Sequence, residues 1–266
     1  MQIALIGGGN MGEATLAAVL AESLAQAASI SVSDVSQPRL EQIKKQYAVT
    51  VTPRNHEAVS GKDIIILAVK PQNLPEVMKE LKGKLKSSQL ILSIIAGAKI
   101  KTISQGLGHS AVVRAMPNTP AQVGEGMSVW TATPDVTKEQ KQSAKAILGA
   151  MGRELYVDDE KYIDMATAVS GSGPAYFFLM VEALVEAAIE IGLPSDRAQE
   201  LVLQTMLGSG KFIQSSGEAP SALRQKVTSP GGTTAAALAQ FEKGAFSELV
   251  RRAVKAAYER AKELGN

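Results

Sequence analysis

The chain has 266 residues, of which 28 are Lys or Arg, 26 are Asp or Glu, 2 are His and none is Cys. It cannot build a disulfide scaffold, a thiol nucleophile, a Cys-ligated zinc or an iron–sulfur cluster, and two His are scant material for a multi-His metal site. A formal charge of +2 provides no net field for nucleic acid, and 45% hydrophobic content at this length describes a globular chain of one large or two ordinary domains.

Residues 1–6 run directly into Gly7-Gly8-Gly9, with neither the basic segment nor the longer apolar stretch of a secretory signal. A cytoplasmic location is therefore expected. Strands are expected at residues 2–6, 30–33, 63–69, 89–94, 111–115 and 126–131. The run Ile64-Ile65-Ile66-Leu67-Ala68-Val69 is apolar on both faces, as a central strand of a covered parallel sheet requires. Leu16, Val19, Leu20 and Leu24 recur at helical spacing and predict a helix over 11–27. Strand, helix and strand in this order imply right-handed βαβ units. The expected class is α/β, with an N-terminal Rossmann-like doubly wound parallel sheet over residues 1–158.

The pattern changes after about residue 136. Thr137 with Gln140 reads as a capping box opening a helix through Ala150, and a short strand is expected at 153–157. Beyond it, helices are expected at 161–169, 175–191, 195–214, 219–226, 233–243 and 246–264. Residues 159–266 thus form an all-helical C-terminal domain. Stretch 175–191 comes nearest to a membrane span, but Glu182, Glu186 and Glu190 fall on one face of it. It reads as a buried helix with one wet edge, so no membrane is expected as a partner. Helices this apolar on more than one face need cover, which a homo-oligomer through the second half would supply.

Gly7-Gly8-Gly9-Asn10-Met11-Gly12 fits the pattern G-x-G-x-x-G between a strand and a helix. Gly7 would allow the tight turn, Gly9 the approach of a pyrophosphate, and Gly12 close helix–strand packing. The helix N-terminus offers unpaired N–H groups to the phosphates. Asp34, at the end of the second strand, stands where a carboxylate binds ribose hydroxyls and would repel a 2′-phosphate. Arg39, Arg54, Lys70 and Ser33 could instead receive that phosphate, so NAD and NADP both remain open as cofactors.

Ligands of doubly wound sheets bind beyond the carboxyl ends of the strands. Three such ends are marked: Ala68-Val69-Lys70-Pro71-Gln72, Ala96-Gly97, and Arg114-Ala115-Met116-Pro117-Asn118-Thr119-Pro120. Together they predict a rigid rim around a nicotinamide, with Pro71, Met116 and Asn118 in it. In the second half, Ser170-Gly171-Ser172-Gly173-Pro174-Ala175 is expected to end one helix and start another. Val227-Thr228-Ser229-Pro230-Gly231-Gly232-Thr233-Thr234 places hydroxyls and backbone N–H groups ahead of a helix, which suits a carboxylate. His56 and His109 read as surface turn residues, and Asp158, Asp159 and Glu160 as a solvated charge cluster.

These motifs, in this order and across essentially the whole chain, resemble the pyrroline-5-carboxylate reductase family. The resemblance implies an oxidoreductase that reduces the C=N bond of 1-pyrroline-5-carboxylate to L-proline with NADPH or NADH. It also implies a helical domain that interleaves with a second subunit, and dimers that can assemble into decamers. The segment with Ser229, Gly231, Gly232, Thr233 and Thr234 would hold the substrate carboxylate and ring nitrogen, with Thr234 and Ser229 as catalytic candidates. Asn55, Ala68, Val69, Lys70 and Ala96 would line the cofactor beside the glycine motif. Asp34 departs from members preferring NADPH, which often carry Ser, Asn or Arg there, and Gln225 stands where many members carry Asp. The reaction asks little acid–base power of the protein, because a protonated imine is already electrophilic. A β-hydroxyacid dehydrogenase would need a Lys soon after Gly173, and the next is Lys211. A non-catalytic dinucleotide sensor would not need the Ser229–Thr234 segment.

Overall fold

The computed structural model describes residues 1–265. Two compact units emerge: Met1–Ser172 together with the chain from Ala257 onward, and Gly173–Ala256.

The first unit is built on a sheet with, among the described residues, eight strands: β1 (Ile3–Ile6), β2 (Ile30–Ser33), β3 (Thr50–Thr52), β4 (Ile64–Leu67), β5 (Leu90–Ser93), β6 (Val112–Met116), β7 (Gly126–Ala132) and β8 (Gly152–Tyr156). Their spatial order is β3-β2-β1-β4-β5-β6-β7-β8. β1 pairs in parallel with β2 on one side and β4 on the other. The order therefore reverses at β1, and a crevice opens there at the carboxyl edge. Helices α1 (Asn10–Ala21), α2 (Gln37–Tyr47), α3 (Asn55–Ala58), α4 (Leu74–Leu81), α5 (Ile100–Leu107) and α6 (Lys138–Ala150) lie along the chain between the strands. Alternation along β1 shows that both faces are covered: Ile3 and Leu5 join one apolar cluster with Leu16 of α1 and Leu148 of α6. Ala4 and Ile6 join another with Val77 of α4 and Ile103 of α5.

Four features differ from expectation, each for a local reason. Helix α1 stops at Ala21, not at 27. Ser23 turns left-handed, Ser23 N–H donates to Leu20 O and Leu24 N–H to Val19 O, a paired closure that ends a helix. Strand β3 is a three-residue edge piece with mostly polar, half-exposed residues, too short to leave a pattern. β7 runs antiparallel to β6, because the link of residues 117–125 is too short for the crossover that a parallel neighbour needs. Finally, Ser170-Gly171-Ser172-Gly173-Pro174 does not break the helix. After α7 (Lys161–Ala166), a π turn at Thr167–Gly171 leads into α8 (Gly173–Glu190), with Ser172 N–H donating to Thr167 O at 2.8 Å. Pro174 has no N–H to give to Ser170 O, four residues back, and that carbonyl accepts the Asn118 amide at 3.0 Å instead.

The second unit contains α8, α9 (Ser195–Ser216), α10 (Pro220–Lys226), α11 (Thr233–Lys243) and the start of α12 (Phe246–Leu264). Its apolar side chains are largely uncovered: Phe177, Phe178 and Leu179 are 60%, 62% and 65% exposed. The expected burial of this helix is thus not provided by its own chain. Lys161–Glu190 is also long and apolar enough to cross a membrane by length and composition.

Candidate functional site

The glycine turn joins β1 to α1 at the sheet's carboxyl edge. Gly7 has φ +104° and receives no side chain gladly: a Cβ there would lie 2.7 Å from Ala68 O. Its N–H donates to Ser33 O at 2.8 Å, so β1, β2 and β4 meet at this residue. A Cβ on Gly12 would overlap the carbonyl oxygen of Gly7, so glycine is what lets α1 start this close to the strand. At Gly9 the same space holds no protein atom within 4 Å. Gly9 and Asn10 are exposed, Met11 is half-buried, and no side chain caps the helix. The N–H groups of the first turn are left for a ligand, and a pyrophosphate fits this open cradle.

Asp34 flanks the turn. Its Oδ2 accepts the Gly8 N–H at 2.8 Å and its Oδ1 the Ser36 N–H at 2.9 Å. Arg39 lies across the same turn, donating from Nε to Gly8 O at 2.5 Å and pairing with Glu13 of α1. The Tyr47 hydroxyl also donates to Glu13, at 3.0 Å. Burial and then the Glu13 carboxylate raise the Tyr47 phenol above its ordinary range, against the opposing charge of Arg39.

Ser33 is fully buried, and its hydroxyl donates to Asn55 Oδ1 at 2.7 Å. Its link to the site runs through Asn55. The Asn55 amide donates in turn to Glu80 Oε2 at 2.6 Å, and the other oxygen of Glu80 receives the His56 N–H at 3.0 Å. His56 Nδ1 lies 3.0 Å from that oxygen. Burial pushes the Glu80 carboxyl up, but the His56 backbone, its ring and the Asn55 amide outweigh it and hold the group below the usual carboxylate range. Nothing in the sequence pointed to Glu80, since its partners are 24 and 25 residues away.

Strands β4, β5 and β6 are neighbours in parallel, so the three marked ends share one edge as expected. Ala68, Val69 and Ala96 are half-buried, while Lys70 and Pro71 are exposed. A Cβ at Gly97 would lie 2.9 Å from Leu264 O, so the end of α12 closes against this corner. Met116 is half-buried and lies next to Gly171. The Asn118 amide donates to Ser170 O at 3.0 Å, and its Oδ1 accepts the Met127 N–H at 2.8 Å. Asn118 therefore ties the rim to β7 and to the π turn.

Beneath this rim lies Arg114, 1% exposed. It donates to Glu160 at 2.8 Å and to Asp164 at 2.6 Å, and Glu160 also accepts the Ile100 N–H opening α5. Glu160 is thus a partner of a buried cation, not a member of a solvated cluster. A lone Arg within Val-Val-Arg-Ala-Met was the available signal, because a buried guanidinium requires carboxylates. His109 is likewise not a surface residue. It is 7% exposed, and its Nε2 lies 2.7 Å from Gln89 O. Among the described residues no cluster of His, Asp or Glu could hold a metal ion.

In the helical unit, the turn between α10 and α11 carries the second motif. Thr228 Oγ1 donates to Arg224 O at 2.6 Å and Gly232 N–H to Ser229 O at 3.0 Å, which folds the turn back on α10. Gly231 has φ +71°, and Gly232 is the N-cap of α11 without a capping side chain. Ser229, Gly231 and Thr233 are exposed, and Gly232 and Thr234 half-buried. The uncapped first turn and three hydroxyls offer donors for one carboxylate.

Comparison with known proteins covers both units. Residues 160–264 match the family model for pyrroline-5-carboxylate reductase dimerisation, and residues 2–97 the model for coenzyme F420-dependent NADP oxidoreductase. A pyrroline-5-carboxylate reductase of Synechocystis is 44% identical over 265 residues, covering 100% of this chain and 98% of the relative. The structure of a Coxiella burnetii pyrroline-5-carboxylate reductase superposes with a TM-score of 0.91 at 38% identity, covering 100% of this chain and 98% of the other. That of Plasmodium falciparum pyrroline carboxylate reductase, with NADP bound, gives 0.91 at 32% identity over 100% and 98%. The chain belongs to the pyrroline-5-carboxylate reductase family.

Proposed function

We propose that this chain reduces the C=N bond of 1-pyrroline-5-carboxylate to L-proline, the last step of proline biosynthesis, with NAD(P)H as cofactor. The carrying observation is the open dinucleotide cradle at the glycine turn in a chain 44% identical along its whole length to a reductase of that name. The glycine turn, the rim and Asp34 hold and orient the cofactor. When bound, NAD(P)H supplies a hydride from C4 of its nicotinamide to C5 of the imine ring.

The substrate's carboxylate is assigned to Ser229 and the backbone N–H groups of Gly232 and Thr233, with Gly231 shaping the turn. Thr234 Oγ1 is assigned to the ring nitrogen: it accepts the N–H of the protonated imine and can donate to the lone pair that this nitrogen gains as C5 takes the hydride. None of these groups titrates near neutral pH, and none needs to: the protein positions an electrophile that is already activated. We keep residues 1–158 as the cofactor domain and 159–266 as the domain for dimerisation and substrate. The exposed apolar faces of α8 and the match to a dimerisation model support a homo-oligomer. A dimer is the unit we assign, with a decamer as its higher assembly, acting in the cytoplasm. The helix Lys161–Glu190 then meets a second subunit, not lipid, since Glu182, Glu186 and Glu190 would be costly in a membrane.

The test is NADH or NADPH oxidation followed by absorbance, with and without 1-pyrroline-5-carboxylate. Substrate-dependent decay with L-proline as product is expected. Dinucleotide binding without turnover would favour the sensor.

A further inference from the structure

Resting on that reading of the glycine turn, we propose that Asp34 makes this enzyme prefer NADH to NADPH, and that the Arg39–Glu13 pair removes the cation that a 2′-phosphate would need. Asp34 follows the last residue of β2, and two backbone N–H groups, of Gly8 at 2.8 Å and Ser36 at 2.9 Å, fix its carboxylate beside the turn. An ionised carboxylate only accepts, and two oxygens carry about four lone-pair sites. Two are engaged by backbone, so two remain for further donors. The 2′- and 3′-hydroxyls of NADH are such donors. A 2′-phosphate carries about −1.5 to −2 charge, so it meets a like charge and has little to donate.

A cation could reverse this preference, but the local ones are engaged. Val35, Ser36, Gln37 and Pro38 carry no positive charge. Arg39 comes next, and each of its three guanidinium nitrogens already donates once, Nε to Gly8 O at 2.5 Å, one terminal nitrogen to Gln42 at 2.9 Å and the other to Glu13, whose carboxylate balances its charge. Glu13 is itself steadied by the Tyr47 hydroxyl. Arg54 pairs with Glu57. Ser33 is buried and turned to Asn55. Lys70 is exposed, but it follows β4, on the opposite side of β1 from β2 and Asp34.

The test is equilibrium binding of NADH and NADPH to the intact protein, by nicotinamide fluorescence, for the natural protein, Asp34→Ser and Glu13→Gln. The natural protein should bind NADH about tenfold or more tightly than NADPH, roughly 1.4 kcal/mol. Asp34→Ser should bring the two within about threefold of each other by removing the like charge. Glu13→Gln, which frees Arg39 without touching Asp34, should tighten NADPH alone by roughly three- to tenfold. NADPH bound by the natural protein as tightly as NADH would overturn the proposal while leaving the reductase reading intact. An unchanged ratio in both variants would do the same. Failure to bind either dinucleotide would overturn both.

Discussion

In the sheet unit Ile3, Leu5, Ile65 and Leu92 are fully buried, whereas in the helical unit Phe178 and Leu179 stand more than half exposed. The two regions carry similar apolar content but dispose of it differently. A sheet has two faces, and the βαβ connections place a helix on each, so the chain covers itself. The helices of the second unit are apolar on more than one face, and within Gly173–Ala256 the buried apolar side chains are few, Ala198 and Leu223 among them. An apolar surface of this extent is a contact surface. One region covers its own apolar residues, and the other leaves apolar faces exposed that the proposed oligomer would cover.

The strongest way to break that comparison is to charge the helical surface. Leu179→Glu should abolish the oligomer and lower stability by about 5 kcal/mol or more per dimer, because a symmetric contact loses both buried leucines and gains two carboxylates. Light scattering and thermal unfolding would measure it, and an intact oligomer with unchanged melting would show that α8 is not the contact. In the sheet unit the largest effect should come from Arg114→Met. Removing this cation leaves Asp164 and Glu160 without their partner, at a cost of about 3–5 kcal/mol by denaturant unfolding. A smaller loss would mean that water reaches the pair.

A third substitution separates function from fold. Thr234→Ala should lower kcat by roughly 10- to 100-fold, the loss of one positioned hydrogen bond in a reactive complex, while NADH affinity and melting temperature stay unchanged. A full-rate variant would remove the role assigned to that hydroxyl. The smallest effect concerns Glu80. Its folded pKa lies below the unfolded value of about 4.3, so its contribution is present above that pH and fades as pH falls through the folded value. Glu80→Gln should lower stability modestly at neutral pH, where the ionised carboxylate contributes, and the deficit should shrink as pH falls below about 4.3, flattening the acid limb of the stability curve. An unchanged acid limb would show that Glu80 does not anchor Asn55.

Features that depend on neighbours in the chain were legible from the residues. The turn at Gly7 and Gly12, the capping box of Thr137 and Gln140, and the starts of α9 and α11 were all set by local sterics and hydrogen bonds. The candidate residues at the ends of β1, β2, β4, β5 and β6 could be named for the same reason, since each closes a strand of predictable apolar pattern, whereas Asn55, after the short β3, came only from the family resemblance. The partners of those residues could not. Glu160 meets Arg114 across 46 residues, Glu80 meets Asn55 across 25, and Glu13 meets Arg39 across 26. Charged residues in a sequence read as solvated until packing decides otherwise.

The order of apolar runs, the glycine spacing and the small hydroxyl segment determined by themselves an α/β sheet followed by helices, and a chemistry that relies on a nicotinamide and not on a strong base. Tertiary structure alone decided that β7 turns back against β6, that the Ser170–Gly173 stretch passes through a π turn, and that Arg39 belongs to Glu13. It also decided that the helical half keeps its apolar faces outward. The physical reason is common to all four. Periodicity records what a segment can bury, and only the packed chain, with its link lengths and long-range ion pairs, determines against what.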